Sequence, residues 1–378
     1  MGVTTTALSS ADVQRERMVE RLEQQVHPRE ETLAAFVTVP RHLFLPDVDL
    51  DRVYSGAAIP TKHSDKGDPI SSSSEVAIMA LMLDALRLER GQRVLEIGAG
   101  TGYNAAILAE LVGVENVVTL EIDPEIADDA RAHLRAAGYD ALRVETCDGW
   151  MGWSEGAPYA RLELTAATAD ISPHWVDQLE EGGVLVAPLM LRPHAQALVA
   201  LRKRGRTLES LSVFAGGFMW LRGVGATGEV PREMGPWRVS SSRAVDADRL
   251  IALLQEKPKL GLAEPCSWSD LALLAIADDD SVVVQRTGSP AFSNGVLTED
   301  GSSLAFVEWT SGVLLPRLLL VSYGGPEALE RLRRRLDEVR GRSWQGLGVL
   351  AVPSDSARPD GDVVFVRPNY TFAVSTTP

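Results

Sequence analysis

The sequence predicts an α/β protein: a doubly wound, largely parallel sheet that follows N-terminal helices and precedes a smaller α+β module. Three observations carry this. Short buried-strand patterns alternate with helical patterns from residue 94 to residue 191, the arrangement that covers both faces of a parallel sheet with helices. A glycine cluster, Gly98, Gly100 and Gly102, stands where the first of those strands gives way to a helix. Beyond Pro231 the rhythm changes to strand-rich stretches around one charged helix.

The elements follow in order. Residues 1–12 are mostly small and polar and are expected to be disordered. Amphipathic spacing predicts a helix over Ala11–Gln25 and a second over Arg29–Val37. VPRHLFLP (39–46) brackets a hydrophobic plug with prolines. The stretch 61–74 is polar, serine-rich and without periodicity, and reads as a loop that could close as a lid. A helix is predicted over Glu75–Leu88. VLEIG (94–98) is a buried strand, Tyr103–Val112 a helix, and NVVTLEI (116–122) a strand. Asp123 and Pro124 then cap and open a helix that runs to Gly138. Strands are predicted at 141–147, 161–167 and 184–191, with a helix near Ser172–Leu179 before the last. The main domain spans residues 13–228. GEVPREMGPW (228–237) is a linker, and 231–378 forms the added module, with strands at 282–286, 303–309, 318–324 and 362–368 and a helix from Gly325 to Val339.

Composition narrows the functional classes. The net charge is −15, which disfavours a phosphate backbone as partner. No apolar run approaches the length of a membrane span, and the N-terminus lacks the pattern of a signal peptide. The 2 cysteines, Cys147 and Cys266, lie far apart. They form neither a disulfide framework nor a metal cluster and fit a reducing, cytoplasmic setting. No metal, nucleic acid or membrane is expected as partner. The clusters Arg202-Lys203-Arg204 with Arg206, and Arg331, Arg333, Arg334 and Arg335, read as solvated faces.

The chemistry gathers around VLEIGAGTGYNAA (94–106). Missing β-carbons at Gly98, Gly100 and Gly102 let the backbone approach a ligand. The spacing is G-x-G-x-G, unlike the dinucleotide pattern. The next strand ends in Glu121-Ile122, where a carboxylate can bond a ribose diol. The third ends in Asp148-Gly149, suited to an adenine amino group. Glu96, inside the first strand, suits the ammonium of a methionyl group better than a pyrophosphate. Together these point to S-adenosyl-L-methionine (SAM).

At these residues the chain resembles the protein-L-isoaspartate O-methyltransferases, over roughly residues 12–225. VPRHLFLP (39–46), YSGAAIP (54–60), the glycine motif, DGWMGW (148–153), LTAA (164–167) and QLEEGGVLVAPL (178–189) carry the resemblance. It implies a Rossmann-like SAM domain and a carboxyl O-methyltransferase. The family's I-S-Q-P signature places a serine at the methyl-transfer site. Ungapped counting puts it at Ser74, and a short gap puts it at Ser71. Ser73, Ala166 and His63 are candidates on the substrate side, and Thr165 of LTAA is a second catalytic candidate. Here Glu75-Val76 replaces Gln-Pro, Tyr159-Ala160-Arg161 stands where an aspartate is usual before the fourth strand, and the loop 61–73 is longer.

These departures and the C-terminal module resemble a subgroup found beside ribosomal peptide natural-product pathways, those of lanthipeptides and ATP-grasp-crosslinked peptides (graspetides). Such relatives esterify a chosen aspartate of a precursor peptide, and the ester collapses to aspartimide or isoaspartate. The added module would then recognise the peptide. The alternatives are a general isoaspartyl repair enzyme and a non-catalytic SAM-fold protein that binds a peptide.

Overall fold

The computed structural model describes residues 9–376 except 66, 68, 193–194, 227–231, 242, 263–265, 288–291 and 311–316. Residues 1–8 of the expected disordered start lie outside this range. Residues 9–12 are ordered instead, because Ser9 and Asp12 form a capping box that starts the first helix.

The N-terminal helices are α1 (Ser10–Val26), α2 (Glu30–Thr38) and α3 (Leu50–Val53). The stretch expected to be a loop is a hairpin, β1 (Ile59–His63) and β2 (Pro69–Ser73), with Ile59 opposite Ser73 and Pro60 opposite Ser72. Its serines, threonine and prolines give no hydrophobic alternation, so the sequence carried no strand signal. Backbone pairing and one arginine hold it. Arg41, fully buried, donates to the carbonyls of Val53 (3.2 Å), Ala57 (3.0 Å) and Ser74 (2.9 Å), and to Ser73 Oγ (3.3 Å). That is the task of the VPRHLFLP plug.

The alternating region follows the expected order: α4 (Val76–Leu86), β3 (Val94–Ile97), α5 (Tyr103–Val112), β4 (Val117–Glu121), α6 (Pro124–Ala136), β5 (Arg143–Thr146), β6 (Tyr159–Leu164) and α7 (Pro173–Gln178). Asp123 caps α6 through the amides of Glu125 and Ile126. Then come three long strands, β7 (Leu179–Arg192), β8 (Ala195–Arg204) and β9 (Thr207–Gly216). The strands β7, β6, β3, β4 and β5 run parallel, and β8 and β9 continue the sheet antiparallel.

The C-terminal part is not one contiguous module. β10 (Arg232–Met234) and β11 (Trp237–Ser241) occupy the described part of the expected linker. They are followed by α8 (Ala247–Gln255), β12 (Lys259–Leu262), α9 (Trp268–Ala277), β13 (Ser281–Arg286), β14 (Phe292–Leu297), β15 (Ser303–Thr310), β16 (Arg317–Gly324) and α10 (Glu327–Val339). The strands β10–β16 make a 7-stranded antiparallel sheet. The chain then returns: β17 (Leu347–Pro353), β18 (Val363–Val366) and β19 (Tyr370–Thr376) extend the first sheet beyond β9 to 10 strands. The boundary expected at 231–378 therefore fails at its far end, because β17 pairs with β9 at Leu350–Glu209 and Ala351–Leu208.

Two apolar cores lie on the two faces of the large sheet. One packs α1, α2, α4 and α5 against Val94, Val117 and Val186. The other holds Leu95, Ile97, Leu162 and Trp175 and runs without a break into Leu271 and Leu274 of α9. Each of those two leucines is fully buried, which contributes roughly 1.5–3 kcal/mol apiece. The appended sheet is thus joined through a shared core. Arg331 and Arg335 are not simply solvated: both reach the fully buried Asp278 carboxylate, Arg331 Nη2 at 2.6 Å. Among the described residues no helix is long and apolar enough to cross a membrane.

Candidate active site

The C-terminal ends of β3, β4 and β6, the hairpin strand β2 and the segment after β9 meet around a cavity. Its walls include Ser71–Ser74, Ile97, Gly98, Gly100, Glu121, Ile122, Gly149, Thr165 and Ala166, together with Met219–Arg222. Ten of the residues predicted for the site therefore come together: Ser71, Ser73, Ser74, Gly98, Gly100, Glu121, Ile122, Gly149, Thr165 and Ala166.

The glycine turn is specified by its neighbours. Gly98 has φ +104°, and a β-carbon there would lie 2.3 Å from Thr165 Oγ1. That hydroxyl donates to Gly98 O (2.6 Å) and approaches Ile97 O (3.1 Å). Thr165 thus fixes the turn and has its hydrogen engaged there, contrary to a role as substrate donor. Gly100, at φ +52°, faces the Ser72 carbonyl. Its N–H donates to Glu121 Oε2 at 3.1 Å, while Glu121 Oε1 accepts from Asp123 N (3.1 Å) and Arg222 Nη2 (3.4 Å). Ser71 Oγ accepts from Thr61. Ser74 gives its carbonyl to Arg41, which leaves its hydroxyl to the cavity wall.

Four expectations fail. Gly102 opens α5 but packs on Leu134 and Ala130, so helix packing requires its missing β-carbon. His63 lies exposed at the outer end of β1 and lines neither the cavity nor the groove beside it. Asp148 is also off the wall: one oxygen accepts from Trp150 N (2.9 Å) and the other from Val224 N (2.7 Å). Glu96 is turned away. It alternates with Leu95 and Ile97 along β3, so its side chain leaves on the opposite face, fully buried, toward Thr119 and Asn104.

Glu96 has company there. Glu163 on β6 stands in register with it, also fully buried, and Asn104 Nδ2 donates to both carboxylates at 2.8 Å. Burial raises both acids. Glu96 rises to about 7 despite its bonds from Thr119 and Asn104. Burial and the charge of Glu96 push Glu163 up to about 8. The rim differs. Burial also pushes Asp123 up, but Lys62 Nζ at 3.0 Å and Arg222 outweigh it and hold its carboxyl below the usual range.

Several functional positions escaped the sequence reading. Met219, Trp220, Leu221 and Arg222 form the roof; the segment had no motif, and only its run of small residues was a hint. It is laid down closely: a β-carbon at Gly223 would meet Asp148 Oδ2 at 2.3 Å, and one at Gly225 would meet the Trp150 ring at 2.1 Å. Asn104, in GYNAA, lines the cavity with an Oδ1 that has no partner.

The residues fit SAM. The orphaned Asn104 Oδ1 is an acceptor for an ammonium, the glycine turn gives close backbone approach, and Glu121 ends its strand where a ribose diol would be met. The free volume is about 100 Å³, below the roughly 300–1,000 Å³ of an ordinary ligand cleft.

A second, larger space of about 700 Å³ lies beside the first and shares Ser72, Ser74, Thr165, Met219 and Trp220 with it. It is a groove that a carboxylate on a chain could use to reach the first cavity.

Comparison with known proteins agrees with this geometry. A family model described as protein-L-isoaspartate(D-aspartate) O-methyltransferase matches residues 13–216. Protein-L-isoaspartate O-methyltransferase 2 of Archaeoglobus fulgidus is 40% identical over 179 residues, 47% of this chain and 79% of that protein. The Methanopyrus kandleri protein-L-isoaspartate O-methyltransferase is 41% identical over 192 residues, 50% of this chain and 82% of its own. A solved protein-L-isoaspartate O-methyltransferase shares the fold at a TM-score of 0.54 and 22% identity, over 96% of this chain and 100% of that one. That fold likeness takes in the appended strands.

Proposed function

The chain belongs to the protein-L-isoaspartate O-methyltransferase family, and we propose that it esterifies an aspartyl-type side-chain carboxylate of a dedicated, ribosomally made precursor peptide. It is a SAM-dependent carboxyl O-methyltransferase. When bound, SAM supplies an electrophilic methyl group. Membership removes the non-catalytic alternative.

The residues divide the work. Glu121 would hold the ribose hydroxyls, Asn104 Oδ1 would accept from the ammonium, and Ile122 and Gly149 would border the adenine. The turn at Gly98 and Gly100 would cradle the methionyl portion, with Ala166 in the wall beside it. An aspartate is already ionised near pH 7, so no strong base is required. Ser74, where the two cavities join, orients one carboxylate oxygen, with Ser71 and Ser73 stiffening the strand behind it. The roof and the β1–β2 hairpin exclude water, so most of the rate comes from positioning. Attack of the next residue's backbone nitrogen on the ester then forms a five-membered imide and expels methanol, which carries off the amide proton.

One observation supports the reading above the others: Ser74 lines both the cofactor cavity and the groove. A second reading, general isoaspartyl repair, is favoured by the identities of 40% and 41% to relatives named for the isoaspartate reaction. Mass spectrometry after incubation with SAM separates the two. A gain of one methyl and then loss of methanol, seen on a precursor peptide encoded beside the gene but not on a generic isoaspartyl peptide, is the expected result. Methylation of the generic peptide alone moves the chain to repair.

A further inference from the structure

The groove does not end within the family's part of the chain. Its lining includes Ser74 and Thr165, the segment Ala215–Trp220, and Ser269 and Ala272 of α9, and α9 lies beyond the region 13–216 that matches the family model. We propose that α9 is a selectivity wall, so that the flank of the substrate peptide lies between Ala272 and the 215–220 segment while its carboxylate reaches Ser74. This rests on the methyltransferase reading and assigns the substrate contact to a helix of the appended part of the chain.

Three facts carry it. The groove adjoins the cofactor cavity, with five residues lining both, so an occupant of the groove lies beside the place where a carboxylate would react. Its volume of about 700 Å³ is that of a cleft for a sizeable ligand, far more than one aspartyl side chain occupies. Both walls are also held in place. Leu271 and Leu274 of α9 are fully buried in the core shared with the large sheet, and Trp344 Nε1 donates to Ser269 Oγ. Opposite, the Gln196 amide clamps Phe218 by two bonds, to its carbonyl at 2.8 Å and from its N–H at 2.6 Å. A groove with fixed walls selects by shape.

The lining states the chemistry of the occupant. Glu75 is its one charged residue among those described; the rest are apolar or neutral, including Pro60, Ile78, Met190 and Trp220. The fitting flank is uncharged and apolar. A flank rich in aspartate or glutamate would meet Glu75 and a chain of net charge −15.

The test uses the full chain and two synthetic peptides built on the target aspartate of the precursor peptide encoded beside the gene. One has a single residue on each side of that aspartate; the other has extended apolar flanks. With Ala272→Trp, the ratio of kcat/KM for the long peptide to that for the short one should fall about tenfold or more. Ala272→Gln, whose flexible side chain also enters the groove, serves if tryptophan disturbs folding, as judged by circular dichroism. An unchanged ratio in folded variants, whatever happens to each activity, overturns the proposal. Should the wild type methylate neither peptide, the functional reading fails by itself. The wall is then judged by fluorescence anisotropy of the labelled long peptide, whose Kd must rise in the variant for the proposal to stand.

Discussion

Two acidic sites, one strand apart, show how position rather than residue type decides what a carboxylate does. Glu96 and Glu163 stand inside their strands, on the face away from the cavity, fully buried and joined through Asn104, with Thr119 donating to Glu96 alone. Glu121 and Asp123 stand at and just past the end of β4, where Lys62, Arg222 and the Gly100 amide meet them. The first pair lacks a cation partner among the described residues and is driven toward its neutral form. The rim is built for negative charge. The lesson is that a glutamate in a glycine-motif strand is assigned by its face and its depth, not by its nearness to glycines.

The strongest way to break this contrast is Glu121→Ala. Hydrogen bonds to a charged group are worth about 1.5–3 kcal/mol, so SAM affinity should fall roughly ten- to hundredfold by calorimetry, with the fold retained. Unchanged affinity would place the cofactor elsewhere. Next comes Glu163→Gln, which keeps an acceptor for Asn104 and removes the acid. Because the folded pair holds protons that the unfolded chain has released, wild-type stability is full below about pH 4.5 and is lost as pH rises toward about 8. The variant should flatten that decline and gain on the order of 1–3 kcal/mol near pH 8, measured by urea unfolding across the range. A wild-type stability that climbs over the same window would show that the pair is ionised and compensated. Lys62→Met should have the smallest effect. Its partly exposed pair with Asp123 is screened by salt, so any drop in melting temperature should shrink in about 1 M salt. A salt-insensitive drop matching the change seen for Glu163→Gln would erase the distinction between the two sites.

Much of the cofactor half was legible in the sequence. The buried strand, the glycine turn, Glu121 at a strand end and the N-cap at Asp123 are all local signals, and each is found where its pattern put it. Ser74, reached by counting, lines the cavity. Glu96 was misassigned although period two along β3 held the answer: Ile97 is on the cavity wall, so its neighbour faces the other way. Asp148 looked available because nothing local announced that Val224, 76 residues on, would take its second oxygen. The hairpin was hidden because its strands are polar and are set by Arg41. β8 carried no period-two alternation over AQALVAL (195–201), buried on both faces. The return of β17–β19 to the large sheet depends on partners more than a hundred residues away, which no window on the sequence contains.

That return has a consequence for how the molecule is made. Asp170, in the loop just past Thr165 and Ala166, accepts from the backbone of Asn369 and Tyr370, the latter 200 residues away. Arg367 binds the carbonyls of Ala169 and Leu191. At about 5–20 residues per second, a ribosome needs roughly 10–40 s to deliver the second partner after the first. Through that interval the outer edge of β9 lacks β17, and the loop that shapes the reaction site lacks its anchor. Such distant pairing makes for slow closure, so the loop at Asp170 gains this anchor only once residue 370 has emerged.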